Sequence, residues 1–183
     1  MQEKLWSKEF VAIIGSGLFM AWTFYALLPT LPIYLVETLH ISHRNVGLIM
    51  GAFFASAILL RPFSGYLIDN YHRSRMLIAS LSLLTLTYGM YPLVSAFSAI
   101  LLLRLMQGLM WSICTSSSAT IVADIVPASR IGQGMGIYAA SLPIGMTIGP
   151  AFGLACLRDQ GPNGMFLAVL CVSFLSQERG TGG

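Results

Sequence analysis

The sequence predicts an all-α integral membrane protein, and three observations lead there. Only 17 of 183 residues are charged (ten Lys and Arg, seven Asp and Glu), which is 9% against the roughly 25% usual for soluble domains. Hydrophobic residues make up 56%, which excludes disorder, and a water-facing surface would need far more charge. The apolar residues also fall in runs close to the 20 or so needed to cross about 30 Å of hydrocarbon. The few Lys and Arg are scattered, so they form no basic face for nucleic acid.

The spans follow in order. A short N-terminal segment, 1–9, precedes a first span of about 10–36 that carries no charge until its end. That stretch is far longer than the roughly 7–15 apolar residues of a cleaved signal peptide. The second span is about 46–68, interrupted by Arg61; the third is about 76–97; the fourth, about 99–123, carries Arg104; the fifth is about 131–157. After Gly161-Pro162-Asn163-Gly164 a sixth helix over 163–175 is predicted as incomplete. The eleven residues from Met165 to Leu175 reach only about 16 Å at 1.5 Å per residue. Residues 176–183 then form an atypical tail.

With the N-terminus inside, the cytoplasmic side holds Lys4, Lys8, Arg73, Arg75 and Arg130, and the outer loops hold only Arg44 and Arg158. The positive-inside rule favours that orientation. Short connections make neighbouring helices antiparallel. Cys114, Cys156 and Cys171 lie far apart in apolar runs, which reads as small buried residues. His40 and His43 offer two ligands where zinc sites use three or four, so no metal site is expected.

Several residues stand out against the apolar background. Arg61 precedes Pro62 about two turns from the cytoplasmic end and is expected to snorkel. Arg104 shares a helical face with Gln107 at i+3, which points both toward a cavity or the bundle interior. Pro29 and Pro32 in span one, and Pro143 and Pro150 in span five, remove helix hydrogen bonds and invite bends. Gly145, Gly149 and Gly153 recur every four residues and present a strip that another backbone can approach closely. Between spans two and three, Asp69 is followed a turn later by Arg73 and Arg75. Asp124 ends span four on the same membrane side, so these charges can form a cluster that latches helix ends. Ser116, Ser117 and Ser118 have no His or Asp placed to activate them, and no phosphate-cradling loop follows a strand. An enzyme is not expected.

These residues resemble the N-terminal half of a major facilitator superfamily transporter, in the twelve-span branch similar to drug:proton antiporters. The segment from Gly65 to Leu77 resembles G-x-L-x-D-x-x-G-R-x-x-x-L, keeping Gly65, Leu67, Asp69, Arg73 and Leu77. Arg104-Leu-Met-Gln107-Gly108 is similar to R-x-x-Q-G, and Gly145-x-x-x-Gly149-Pro150-x-x-Gly153 to the antiporter motif of helix five. Pro29-Thr-Leu-Pro32 resembles P-x-x-P of helix one. The resemblance covers about residues 8–175. His72 departs from it by replacing the second glycine of the loop, and a positive φ there would strain a histidine. Spans one to five hold no mid-membrane Asp or Glu, so a proton-binding carboxylate is expected in a half not present.

The resemblance implies a six-helix half-bundle, its sixth helix truncated, in a multi-pass plasma membrane protein with a cytoplasmic N-terminus. It implies proton-coupled efflux of drugs or metabolites by alternating access, driven by the proton gradient and without a cofactor. The partners implied are the lipid bilayer, a small-molecule substrate, and a missing C-terminal half or a second copy. Asp69 and Arg73 would hold the outward-facing state with Asp124 pairing the arginine. Arg104 would line the cavity and serve proton coupling, with Tyr25, Gln107, Trp111 and Tyr138 as further cavity candidates. Gly145, Gly149 and Pro150 would shape helix five. Two alternatives stand beside this: a half-size protein acting as a dimer through the Gly145–Gly153 strip, and a non-transporting membrane scaffold or sensor.

Overall fold

A computed structural model describes residues 5–181 as an all-helical bundle; Lys4 and the last two residues lie outside that range. Ser7 opens α1 (Lys8–Glu37) by accepting a hydrogen bond from the Phe10 amide at 3.1 Å, the usual N-cap geometry. Pro29 and Pro32 sit half-buried inside α1 without ending it. Then come α2 (His43–Leu59), α3 (Arg61–Asn70) and α4 (Arg73–Met90), which ends in a 3-10 turn, Tyr91–Leu93. The long α5 (Phe97–Ile125) and a second 3-10 turn, Ala128–Arg130, lead into α6 (Ile131–Thr181).

Three boundaries differ from the sequence reading, two of them at a proline. The second span is not one helix but α2 and α3, bent by 47° at Leu60. Pro62 has no amide to continue α2, but it fits the first turn of a new helix, where that amide is not needed. The third span stops at Met90 rather than 97, because Pro92 permits only a short tight turn. The largest correction concerns the last span. The helix does not stop at Leu175; it continues through Ser176 and Gln177 to Thr181. From 162 to 181 it measures about 30 Å at 1.5 Å per residue.

As one rod, the 51 residues of α6 would run about 75 Å, more than twice the hydrocarbon thickness. Gly161 prevents this. Its φ of 71° and ψ of −176° fall in a region essentially reserved for glycine, and the chain reverses there. The contacts show the reversal directly. Along the first limb, Gly145 meets Ala21, Gly149 meets Tyr25 and Ala26, and Gly153 meets Ala26. Residue numbers rise together, so this limb runs parallel to α1. Along the second limb, the Thr30 hydroxyl lies 3.2 Å from Met165 Sδ, and Phe166 packs edge-on against Tyr34. Ser176 then donates to the Ser16 carbonyl at 3.0 Å. Here numbers run oppositely, so the limb is antiparallel, and α1 is gripped by both arms of a hairpin.

The glycine strip is therefore filled from within the chain. A Cβ at Gly149 would stand 2.9 Å from the Ala26 amide nitrogen, and one at Gly145 would stand 2.8 Å from that of Trp22. No real side chain fits at such separations. The strip thus packs on α1 and is not available as a face for a second copy. The second limb buries Met165, Phe166, Val169, Ser173 and Ser176 at helical spacing against α1 and α4. The Gln177 amide donates to Ser82 Oγ at 2.9 Å. The polar residues read as a tail are thus partners of the packed helix. Of the cysteines only Cys114 is buried, with its Sγ 3.0 Å from Ser80 Oγ; Cys156 is half-buried and Cys171 exposed.

By length and hydropathy α1, α4 with its turn, α5 and α6 each qualify as membrane spans, and the bent pair α2–α3 makes another. Folded at Gly161, α6 supplies two passes. The chain is a multi-pass membrane protein. Two substitutions separate the two kinds of glycine. No neighbouring atom lies within 4 Å of a Cβ at Gly161, so Gly161→Ala should cost about 1–3 kcal/mol through backbone strain alone. Gly149→Leu should cost that much or more by forcing α1 away. Both are read from denaturant unfolding of the purified chain in mixed micelles.

Candidate functional site

The first assembly lies in the bundle interior and is built by α4 and α5. Gln107, 1% exposed, accepts hydrogen bonds through Oε1 from the Tyr91 hydroxyl at 2.9 Å and from Arg104 Nη1 at 3.3 Å. Its amide donates to Thr87 Oγ1 at 3.0 Å, and Thr87 donates to the Leu84 carbonyl at 2.7 Å. The i, i+3 spacing of Arg104 and Gln107 on one helical face predicts their neighbourhood. The structure answers which interior they face: both are enclosed by packed helices. Arg104 is 1% exposed. Its Nη2 lies 3.4 Å from Met50 Sδ, and its Cζ stands 5.8 Å from the Phe53 ring centroid. Its Nε is buried without a partner. Among the described residues no carboxylate pairs with it, although burying a lone cation costs several kcal/mol. Gly108 belongs to packing: Ser56 Oγ and the Phe53 carbonyl occupy the place of its missing Cβ, so α5 crosses α2 there at backbone distance.

Phe53 also lines an aromatic groove of about 210 Å³ between α1, α2, α3 and α5. Its lining includes Phe24, Tyr25, Phe53, Phe54 and Trp111, together with Arg61, Ser112 and Thr115. Phe24 is the hub: its ring centroid lies 4.6 Å from Phe53 and 4.5 Å from Trp111. Tyr25 and Trp111 were foreseen as cavity residues. Gln107 belongs instead to the buried network, and Tyr138 packs against Gly17. Phe24, Phe53 and Phe54 were missed. Each lies inside a uniformly apolar run, where only an aromatic tally across facing helices would have marked them.

The third assembly lies where α3 ends, α4 begins and α5 ends. Arg73 at the start of α4 forms an ion pair with Asp124 at the end of α5. The two side chains are 42% and 51% exposed, so the pair contributes about 0.2–1 kcal/mol. They line a cleft of about 540 Å³ together with Asp69 and His72. Asp69, exposed at the end of α3, makes no ion pair among the described residues, and neither does Arg75. Gly65 has open space beside it. His72 is unstrained, with φ at −59° as it caps α4. The left-handed backbone instead falls on His40, at φ 52°.

Gln107→Leu should leave Thr87, Tyr91 and Arg104 short of partners, each orphaned group costing about 1–3 kcal/mol. Arg73→Gln should cost under about 1 kcal/mol. Unfolding midpoints of the two variants, measured side by side, check the contrast.

Comparison with known proteins places this geometry. Residues 13–176 match the family model described as Major Facilitator Superfamily. The chain is 28% identical over 149 residues to Multidrug resistance protein 2 of Bacillus subtilis, covering 81% of this chain and 35% of that protein. It is 26% identical over 149 residues to Quinolone resistance protein NorA of Staphylococcus aureus, covering 81% and 36%. It spans about a third of the length of these relatives. The crystal structure of the human organic anion transporter MFSD10 (TETRAN) superposes with a TM-score of 0.71 at 21% identity, covering 93% of this chain and 46% of that one.

Proposed function

The chain belongs to the Major Facilitator Superfamily, and from that premise we propose that it acts as the N-terminal half of a proton-coupled efflux transporter for drugs or metabolites. In this reading it sits in the plasma membrane with its N-terminus in the cytoplasm. It meets a C-terminal half and rocks against it so that a central site opens alternately to each side. The curated relatives named for drug resistance favour efflux over uptake.

The observation that carries the reading is the Arg73–Asp124 ion pair with an unpaired Asp69 in the same cleft. A latch that opens in every cycle must be weak, and a half-exposed pair worth under about 1 kcal/mol meets that need. A scaffold has no use for such a cluster at the junction of α3, α4 and α5. The buried network supports the same reading from within. Gln107 fixes Arg104 at bilayer depth without a neutralising carboxylate. A charge so placed is sensitive to any proton or ion entering the site nearby. The carboxylate that takes the proton then belongs to the second half. The glycine strip holds α1 and α6 together as one body, so the motion runs between halves and not within this one.

Expression in drug-sensitised cells tests the proposal. Energy-dependent efflux of ethidium should occur when the chain is joined to a C-terminal six-helix half. Efflux by the chain alone would sink the two-half reading. Asp69→Asn in the joined protein should abolish efflux while leaving membrane level and unfolding midpoint unchanged, since Asp69 loses no ion pair within this half. Unchanged efflux in that variant would remove the latch.

A further inference from the structure

Resting on the transport reading, the groove between α1, α2, α3 and α5 can be assigned a ligand class. We infer that it takes a flat aromatic anion of one or two fused rings, with the rings against Trp111 and the exposed Phe54, and the negative group at Arg61. Aromatic walls by themselves favour flat ligands through stacking, and they also attract cations. The charges around this groove decide between the two. No Asp or Glu lines it, and Arg61 is its charged member.

A second cation stands near it. Arg104 stands over the Phe53 ring at 5.8 Å, and Phe53 forms part of the groove wall. The negative face that this ring would offer a cationic ligand is thus already engaged. Arg104 also carries its charge without a carboxylate partner among the described residues. Two positive charges and no negative one therefore act on a water-poor, aromatic-lined space, where fields are weakly screened. A cationic ligand finds no counter-charge here; an anionic one finds a guanidinium able to hold a carboxylate or sulfonate by two hydrogen bonds. At about 210 Å³ the groove is smaller than the roughly 300–1,000 Å³ of complete ligand sites, which limits it to one or two fused rings.

The test compares two ligands with one ring system and opposite charge, 2-naphthalenesulfonate and 2-naphthyltrimethylammonium. The full chain is placed in nanodiscs of phosphatidylcholine, and binding is measured by equilibrium dialysis with empty discs subtracted. The sulfonate should bind at least tenfold tighter than the ammonium. Arg61→Gln should bring the two within about twofold, whereas Arg61→Lys should retain most of the preference. Arg61 is exposed at the bend between α2 and α3, so circular dichroism should match the parent chain. Trp111→Ala should weaken the sulfonate without reversing the preference. Equal or tighter binding of the ammonium, no measurable binding of either, or a preference that survives Arg61→Gln would each overturn the assignment. Failure here is distinguishable from failure of the transport reading. Sulfonate binding to a chain that supports no efflux when joined to a second half leaves the site standing. Efflux of ethidium with no preference for the anion removes the site alone.

Discussion

Contact between the backbones of α1 and α6 is the constraint on which the other features depend. In a bilayer, apolar side chains gain little by leaving lipid for protein, so helices associate through close packing and interhelical hydrogen bonds. Gly145, Gly149 and Gly153 let the first limb of α6 reach the backbone of α1 between Ala21 and Ala26. The reversal at Gly161 returns the second limb to the opposite direction along the same helix. With α1 fixed this way, Phe24 and Tyr25 are held at the angle that lets them meet Phe53, Phe54 and Trp111. The aromatic groove is thus a consequence of a glycine strip on a helix that barely touches it.

The bundle divides its polar groups by depth, and the energetics differ accordingly. Inside, Arg104, Gln107, Thr87 and Tyr91 form a network in which each hydrogen bond is worth more because water is excluded, and each orphan is expensive. That network ties α4 to α5. At the charged end, Arg73 and Asp124 are half in solvent, where the pair is cheap to break. The same two helices are therefore joined by a buried network toward one end and by an exposed ion pair at the other. A body that rocks as a unit while its rim contacts are exchanged needs that distribution.

Much of this was legible in the sequence, and the reasons are physical. The helical class followed from charge content, and the Arg104–Gln107 pairing followed from helical periodicity. Charges on one side of the membrane suggested a cluster there, and the family resemblance implied the Arg73–Asp124 pair within it. The boundaries were harder. Pro62 reads as a local blemish in an apolar run, yet it splits the second span because its missing amide is tolerated only at a helix start. The polar string from Ser176 onward reads as the end of a span, since hydropathy cannot know that Ser16 and Ser82 wait beside it. His72 looked like a strained substitution only because its position was known from a pattern and its φ was not. The aromatic groove was legible only through Tyr25 and Trp111, for a different reason: Phe24 and Phe53 lie in uniformly apolar runs of separate helices.

The grip on α1 has a consequence for biosynthesis. Ser16 meets Ser176 across 160 residues of chain, so the first helix to enter the membrane is the last to be completed as a packed element. At about 5–20 residues per second, the face of α1 that carries Gly17, Ala21 and Ala26 stands open for about 8–30 s before both arms of α6 exist. During that interval Ser16, Thr23 and Thr30 border lipid or whatever escort the insertion machinery supplies. The length of that wait, rather than the stability of the finished bundle, is where a ribosome pause or a shortened final helix would do its damage.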